Sequence, residues 1–243
     1  EAAYREKALP LPVSSLLETE RAVTLLAGTN APEKLICAAA YLSRGLTPPA
    51  LTQDETRDML RAMLQNPRKR ELEQASFTLL YGGMSLAALT HLTRHRMQSL
   101  AAPDLLRAAR YDRYVLPESV VSAGMETRYR AAFSLAELAA QKLKKLGAGE
   151  DVLSYLLVSG LKVPAVSTMN AGELVTFFRL RTCDRAQWEI RELATEALKV
   201  LREAHPVLFS LYGPTCFMTG ACPEGKMCCG KTQQAREKFS GTL

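Results

Sequence analysis

The stretch from about Gly172 to Arg202 constrains the fold most. Leu174, Phe177, Phe178, Leu180, Ala186, Ile190, Leu193, Ala194, Leu198 and Leu201 recur there at helical spacing, the pattern of a helix that buries one side. Its length favours two segments with a break near Thr182-Cys183-Asp184. Lys162 to Thr168 reads as a strand running into Asn170, so a strand feeds this helical unit directly.

Other elements follow from period and punctuation. Ser15 to Leu46 carries Leu16, Leu17, Val23, Leu25, Leu26, Leu35, Ile36, Ala39 and Leu42 at helical spacing, and reads as helices broken at Gly28 to Pro32. Thr52 to Gln65 has Asp54, Glu55 and Asp58 early, as a helix N-terminus favours. Ala75 to Tyr81 reads as a strand ending at Gly82-Gly83, and Tyr111 to Leu116 as a second. Ser85 to Arg96 reads as helix, with its cations at the C-terminal end of the macrodipole. Met125 to Leu146 is a long amphipathic helix stopped by Gly147.

The chain has 243 residues, 47% hydrophobic and 23% charged, with a net charge of +6. That composition suits a globular core, and the basic balance suits phosphorylated small molecules, nucleic acid or an acidic surface. No apolar run approaches the roughly 20 residues that cross a bilayer, and Glu1-Ala2-Ala3-Tyr4 has no signal-peptide character, so a soluble cytoplasmic protein is expected. The absence of an initiator Met is consistent with a trimmed chain or with a segment of a tandem or fused polypeptide. The basic residues show no nucleic-acid readout motif and little aromatic interleaving, so a nucleic-acid partner is not expected.

Cys216, Cys222, Cys228 and Cys229 crowd the turn-rich segment Gly213 to Gly230 as Cys-x5-Cys-x5-Cys-Cys. Structural zinc favours four thiolate or imidazole ligands, but usually from Cys-x2-Cys knuckles, so metal, disulfide and free thiol all stay open for these four. No metal site is assigned.

Arg94-His95-Arg96-Met97-Gln98-Ser99 and Leu180-Arg181, followed by Ala186-Gln187-Trp188-Glu189-Ile190, together resemble the signature of the flavin-dependent thymidylate synthases. Asn170-Ala171 matches a helix start in the same family, Leu26 to Ala39 resembles its N-terminal region, and Gly213 to Gly230 resembles a cysteine-bearing tail of some members. The resemblance implies an α/β (α+β) fold, the thymidylate synthase-complementing protein fold, in which helices flank a twisted, mainly antiparallel sheet. It implies a domain over 1–212 followed by a cysteine-containing tail over 213–243, and a homotetramer with shared active sites.

The implied activity is reductive methylation at C5 of a uracil nucleotide such as dUMP. FAD is the implied cofactor, with NADPH and methylene-tetrahydrofolate as co-substrates. Arg181 takes the place of the arginine that polarises the uracil ring. Arg94, His95, Arg96, Ser99, Asn170 and Leu180 fall at flavin-side positions. Arg94 and His91 are candidates toward the substrate, with Arg107 and Arg110 as replacements for phosphate ligands.

Departures from the family pattern fall on the nucleotide side. The Asn-Glu pair after Ser99 is replaced by Ala101-Ala102, a phosphate-holding arginine falls near Ser154, and the Gly-His and Glu-His of the segment before the first strand appear as Asn66-Pro67 and Glu73-Gln74. These losses support an alternative: a non-catalytic paralogue that keeps the fold and flavin or oligomer surface, fused to or paired with an active homologue. Simpler readings stand beside the motif. Arg94 to Arg96 could be a basic helix end, Gln187 and Glu189 a solvated or intersubunit face, Trp188 core or interface, and Arg68-Lys69-Arg70 a solvated charge run.

Overall fold

The computed structural model describes residues 22–241 and 243. Strands β1 (Val23–Gly28), β2 (Ser76–Ser85), β3 (Gln98–Ala101) and β4 (Lys162–Asn170) form one antiparallel sheet in the order β1-β2-β4-β3. Around it lie α1 (Pro32–Leu42), α2 (Gln53–Gln65), α3 (Leu86–Leu92), α4 (Leu105–Ala108), α5 (Glu118–Ser122), α6 (Glu126–Lys145) and α7 (Glu150–Ser154). Beyond the sheet follow α8 (Ala171–Arg181), α9 (Trp188–Ala204), α10 (Pro206–Phe209), α11 (Thr215–Thr219) and α12 (Thr232–Ser240). This is the expected α/β class, an antiparallel sheet flanked by helices.

The central pair is β2 with β4, in the register Phe77 to Met169, Leu79 to Ser167 and Tyr81 to Ala165. Phe77, Leu79, Val163, Ala165 and Met169 are buried, as the period of two in a half-buried strand requires. Ile190, Leu193, Ala194, Ala197, Leu198 and Leu201 line the buried side of α9 and join the same core. Each fully buried Leu or Ile contributes roughly 1.5–3 kcal/mol, so this one stripe outweighs the polar composition of the helix's outer side. Phe77, Phe209, Tyr212, Phe178 and Phe177 meet in succession, edge-on except for the tilted Phe209–Tyr212 pair, and the series ends at the His95 ring, 5.1 Å from Phe177.

Across the chain, α6 lies on Tyr114, whose ring stacks on Phe133 at 4.2 Å. Gly160 permits that approach: a Cβ there would stand 2.8 Å from the Phe133 ring and 2.6 Å from the Tyr129 hydroxyl. Phe133 is the one buried side chain of α6, while Leu135 and Leu138 are 65% and 61% exposed.

Several expectations hold. The helical stretch after Asn170 divides into α8 and α9 with its break at Thr182 to Gln187. Thr52 caps α2 through a full capping box with Glu55, and the long helix ends with Gly147 at φ +80°.

Others are corrected. Val23, Leu25 and Leu26 belong to a strand, because β1 pairs with β2 from Val23 opposite Tyr81 to Gly28 opposite Phe77; Leu16 and Leu17 lie outside the described residues. Gly82-Gly83 does not end β2 but forms an irregularity within it, after which Met84 and Ser85 pair again with β4. Tyr111 to Leu116 contributes only an isolated bridge, Tyr114 to Leu161. The sheet's missing strand is instead Gln98–Ala101, hydrogen-bonded along β4 from Met169 to Val166. Consequently Arg94 to Arg96 lie in the turn after α3 rather than within a helix.

Candidate active site

The first signature segment is shaped by α3. Ser85 caps that helix, accepting a hydrogen bond from Ala88 N–H, and Ala88, Leu89 and Leu92 bury its inner side. The chain then turns: the His95 backbone N–H donates to Leu92 C=O, and Gln98 Nε2 donates to the same carbonyl at 2.6 Å. Ser167 Oγ donates to Gln98 Oε1 at 2.6 Å, tying the turn to β4. Alternation through this turn leaves Arg94 and Arg96 exposed and drives His95 inward, 4% exposed.

The second segment starts where β4 becomes α8. Asn170 Oδ1 accepts from Glu173 N–H at 2.8 Å, an N-cap. One turn in, Glu173 Oε1 lies 3.1 Å from His95 Nδ1; at the helix's far end Arg181 Nε donates to His95 Nε2 at 3.0 Å. Because Nε2 accepts, Nδ1 must carry the proton and donate to Glu173, which fixes a neutral imidazole tautomer. Burial first, then the Arg181 charge, holds His95 down at about 4, so the Glu173 contact is a hydrogen bond rather than an ion pair. Burial also raises the Glu173 carboxyl.

Cations gather on the outer side of this line. Arg181 is lowered by burial and then by Arg94, and His91 by burial, then Arg181 and Arg94, which places these three groups within one another's field. Among the described residues, Arg94, Arg96, Arg179 and Arg181 form no ion pair, and the Nη groups of Arg181 have no protein acceptor. Unpaired guanidinium donors on a fixed frame suit an anion or a developing oxyanion. Two openings flank them. One of about 270 Å³ lies between Asn170, Glu173, Lys69, Met97 and Arg179. The other, about 470 Å³, is walled by Leu180, Arg181, Cys183, Arg185 and the cysteine tail.

The structure thus brings His91, Arg94 and His95 against Arg181 from a distant segment, while Asn170 lines the smaller opening and Leu180 the larger one. Arg96 is exposed beside them and Ser99 is exposed on the edge strand β3, paired with Thr168. Arg107 and Arg110 are each held by an aspartate of their own segment, Asp104 at 3.6 Å and Asp112 at 2.9 Å. Among the described residues no group of three or more His, Cys, Asp or Glu side chains is placed to hold a metal ion, and all six cysteines are free thiols. Nor is any described helix long and apolar enough to cross a membrane.

Three residues take places that the sequence does not disclose. Glu173 is one: Asn170-x-x-Glu173 marks a helix start, but only the fold shows the Glu173 carboxylate against His95. Gln187 and Glu189 are not a solvated face. Gln187 caps α9 by accepting from Ile190 N–H, and Glu189 is buried, accepting from Ser85 N–H at 2.7 Å and from its hydroxyl.

An antiparallel α/β frame thus clamps a neutral histidine between the Glu173 carboxylate and an arginine whose Nη groups have no partner among the described residues. The sequence model of the thymidylate synthase complementing proteins matches residues 24–207, and the chain belongs to that family. It is 34% identical over 236 residues to a flavin-dependent thymidylate synthase of Geobacter sulfurreducens, covering 89% of this chain and 97% of that one. A flavin-dependent thymidylate synthase of Clostridium tetani is 31% identical, covering 89% and 96%. A UMP/dUMP methylase from Streptomyces cacaoi, crystallised with 5-Br dUMP, shares the fold at a TM-score of 0.65 and 19% identity, over 79% of this chain and 95% of that one.

Proposed function

We propose that this chain is a flavin-dependent methyltransferase that adds a reduced one-carbon unit to C5 of a uracil nucleotide, dUMP or a relative. FAD is the cofactor in this reading, and NADPH and methylene-tetrahydrofolate are the co-substrates. The observation that carries it is the 3.0 Å hydrogen bond from Arg181 to His95, which joins the two signature segments into one site. The names of the relatives agree with it.

In this reading Arg94, His95, Arg96, Ser99, Asn170 and Leu180 line the flavin side, and the flavin, once bound, supplies hydride. The free cations fit its phosphates. Arg181 stabilises negative charge developing on the pyrimidine, and His95 holds the guanidinium by Nε while leaving both Nη groups for ligand. A neutral His95 matters here, because an imidazolium would repel Arg181 and lose its acceptor. The exposed Leu135 and Leu138 of α6 are covered by further copies of the chain in the expected homotetramer.

Ala101 and Ala102, both exposed at the end of β3, favour a second reading in which flavin binds but the nucleotide is not turned over. The test is reconstitution with FAD, reduction by NADPH followed by flavin absorbance, and chromatography for thymidylate formed from dUMP and methylene-tetrahydrofolate. Flavin uptake with product formation supports the enzyme. Flavin uptake without product supports the paralogue, and no uptake sinks both.

A further inference from the structure

Glu173 and Arg181 stand near opposite ends of α8, about 12 Å apart along its axis. They make no hydrogen bond to each other. The His95 ring, brought in from the turn after α3, bridges them, with Nδ1 3.1 Å from Glu173 Oε1 and Nε2 3.0 Å from Arg181 Nε. Glu173 walls the opening of about 270 Å³ and Arg181 the one of about 470 Å³, so this line runs from one opening to the other. Glu173 is itself held in place. Its backbone N–H donates to Asn170 Oδ1 at 2.8 Å, its carboxylate lies in the first turn of α8, where the macrodipole favours an anion, and its side chain is only 12% exposed.

Phe177 packs edge-on against the His95 ring at 5.1 Å and 75°. That contact fixes the plane of the ring but does not tell nitrogen from carbon. The bond at Nδ1 decides which edge meets Arg181 and which nitrogen keeps the proton. We propose that Glu173 is a positioning residue for the methyl transfer: through His95 it sets the aim of the Arg181 guanidinium at the bound pyrimidine. The inference rests on the ring-polarising role proposed above for Arg181.

The carboxylate accepts from Nδ1–H, which leaves a lone pair on Nε2. Nε2 then accepts the Arg181 Nε–H, and both Nη groups stay free for the ligand. With the carboxylate withdrawn, the imidazole loses the acceptor that keeps its proton on Nδ1. A proton on Nε2 would set two donors face to face and turn the guanidinium away. What matters is therefore an acceptor at the reach of Glu173, not its charge. Two variants separate these. Glu173→Gln presents an amide oxygen at the same reach without the charge, whereas Glu173→Asp keeps the charge one methylene short. A charge effect ranks Asp above Gln; orientation through His95 ranks Gln above Asp.

The test has two readouts on the full chain. In steady-state thymidylate formation, Glu173→Asp should lower kcat about tenfold to a hundredfold with a smaller change in KM for dUMP, and Glu173→Gln about threefold or less, as for a misaimed group that acts in the transition state. Adding Glu173→Asp to Arg181→Lys should cost nothing further, because the positioned group is already gone. The second readout needs neither flavin nor turnover. Labelling histidine with nitrogen-15 gives three imidazoles, His95→Gln assigns the one in question, and long-range proton–nitrogen spectra at neutral pH identify its tautomer. The parent and Glu173→Gln should show a single Nδ1–H imidazole, and Glu173→Asp a mixture with Nε2–H. A parent chain that forms no thymidylate fails the methyltransferase reading alone, and the spectra still decide this one. Three outcomes overturn the inference: Glu173→Asp keeps the single Nδ1–H tautomer, Glu173→Gln loses as much kcat as Glu173→Asp, or the losses of Glu173→Asp and Arg181→Lys multiply in the double variant.

Discussion

Arg181 donates its Nε–H to Nε2 of His95 across 3.0 Å, and that single contact joins residues 86 positions apart. It makes the arginine's orientation depend on the histidine's protonation state, since only a neutral imidazole with its proton on Nδ1 can accept there.

Arg181→Lys keeps a positive charge but loses both the fork and the Nε donor. The expected loss in thymidylate formation is about 10²–10³-fold, as for removing one preorganised donor from a developing oxyanion. Flavin uptake should change far less, because Arg94 and Arg96 remain. Steady-state kinetics beside a flavin titration separate the two, and equal losses in both would remove Arg181 from the ring-polarising role.

Acid should weaken the fold through His95. Its pKa falls from 6.5 to about 4 on folding, so between those values the unfolded chain binds the extra proton and stability falls as pH falls. The loss is at most about 3 kcal/mol. His91 is shifted the same way, whereas the raised Glu173 carboxyl takes its proton more readily in the folded state and opposes the loss near its own titration. The decline should therefore be steepest in the upper part of the window. Urea unfolding at pH 7 and pH 5 measures it, and His95→Gln should flatten the difference. An unchanged difference would mean that His95 is not the group responsible.

Glu189→Ala should destabilise the chain by about 2–4 kcal/mol, because it strands the Ser85 N–H and hydroxyl inside the core. Glu189→Gln, which retains one acceptor, should lie between the two. Thermal melts of the three proteins check the order. A loss within a few tenths of a kcal/mol for Glu189→Ala would show that the contact adds nothing.

Those residues also show what the sequence could and could not disclose. Periodicity found α8 and α9 because each buries a repeating stripe, and α6 because its apolar residues recur at helical spacing although Phe133 alone among them is buried; pairing the two signature segments found His95 and Arg181 before any contact was visible. The strand Gln98–Ala101 was illegible: it is four residues long, lies at the sheet's edge and has no alternation of its own, being specified by hydrogen bonds to β4. Val23 to Gly28 carries apolar residues whose spacing suits a helix turn as well as a strand, and only its pairing with β2 decides. Glu189 looked solvated because a charged residue is seldom buried, and its buried donors belong to a segment 104 residues away.

Arg202 fastens the tail. It donates to the carbonyls of Phe209 at 3.0 Å, Tyr212 at 2.9 Å, Phe239 at 2.9 Å and Gly241 at 3.3 Å, and burial lowers it to about 10. Arg202→Lys places one ammonium where a planar fork spans four acceptors. Amide exchange across α12 should rise about tenfold or more, in line with charged hydrogen bonds of roughly 1.5–3 kcal/mol each, while α6 stays unchanged. Equal acceleration in both helices would indicate global loosening instead.

Ala101 and Ala102 are exposed where β3 ends, so longer side chains there meet open space rather than core. If these positions face the nucleotide, Ala101→Asn with Ala102→Glu restores two or three polar contacts, and at about 1.5–3 kcal/mol for each charged one, dUMP should bind about a hundredfold tighter or more. Calorimetry with dUMP on the flavin-loaded parent and double variant measures it. A gain in affinity accompanied by a gain in turnover would identify the parent as an enzyme with a weakened nucleotide pocket. A gain in affinity alone would place the remaining deficit in the arginine that falls near Ser154. No gain at all would mean that these two positions do not face the nucleotide.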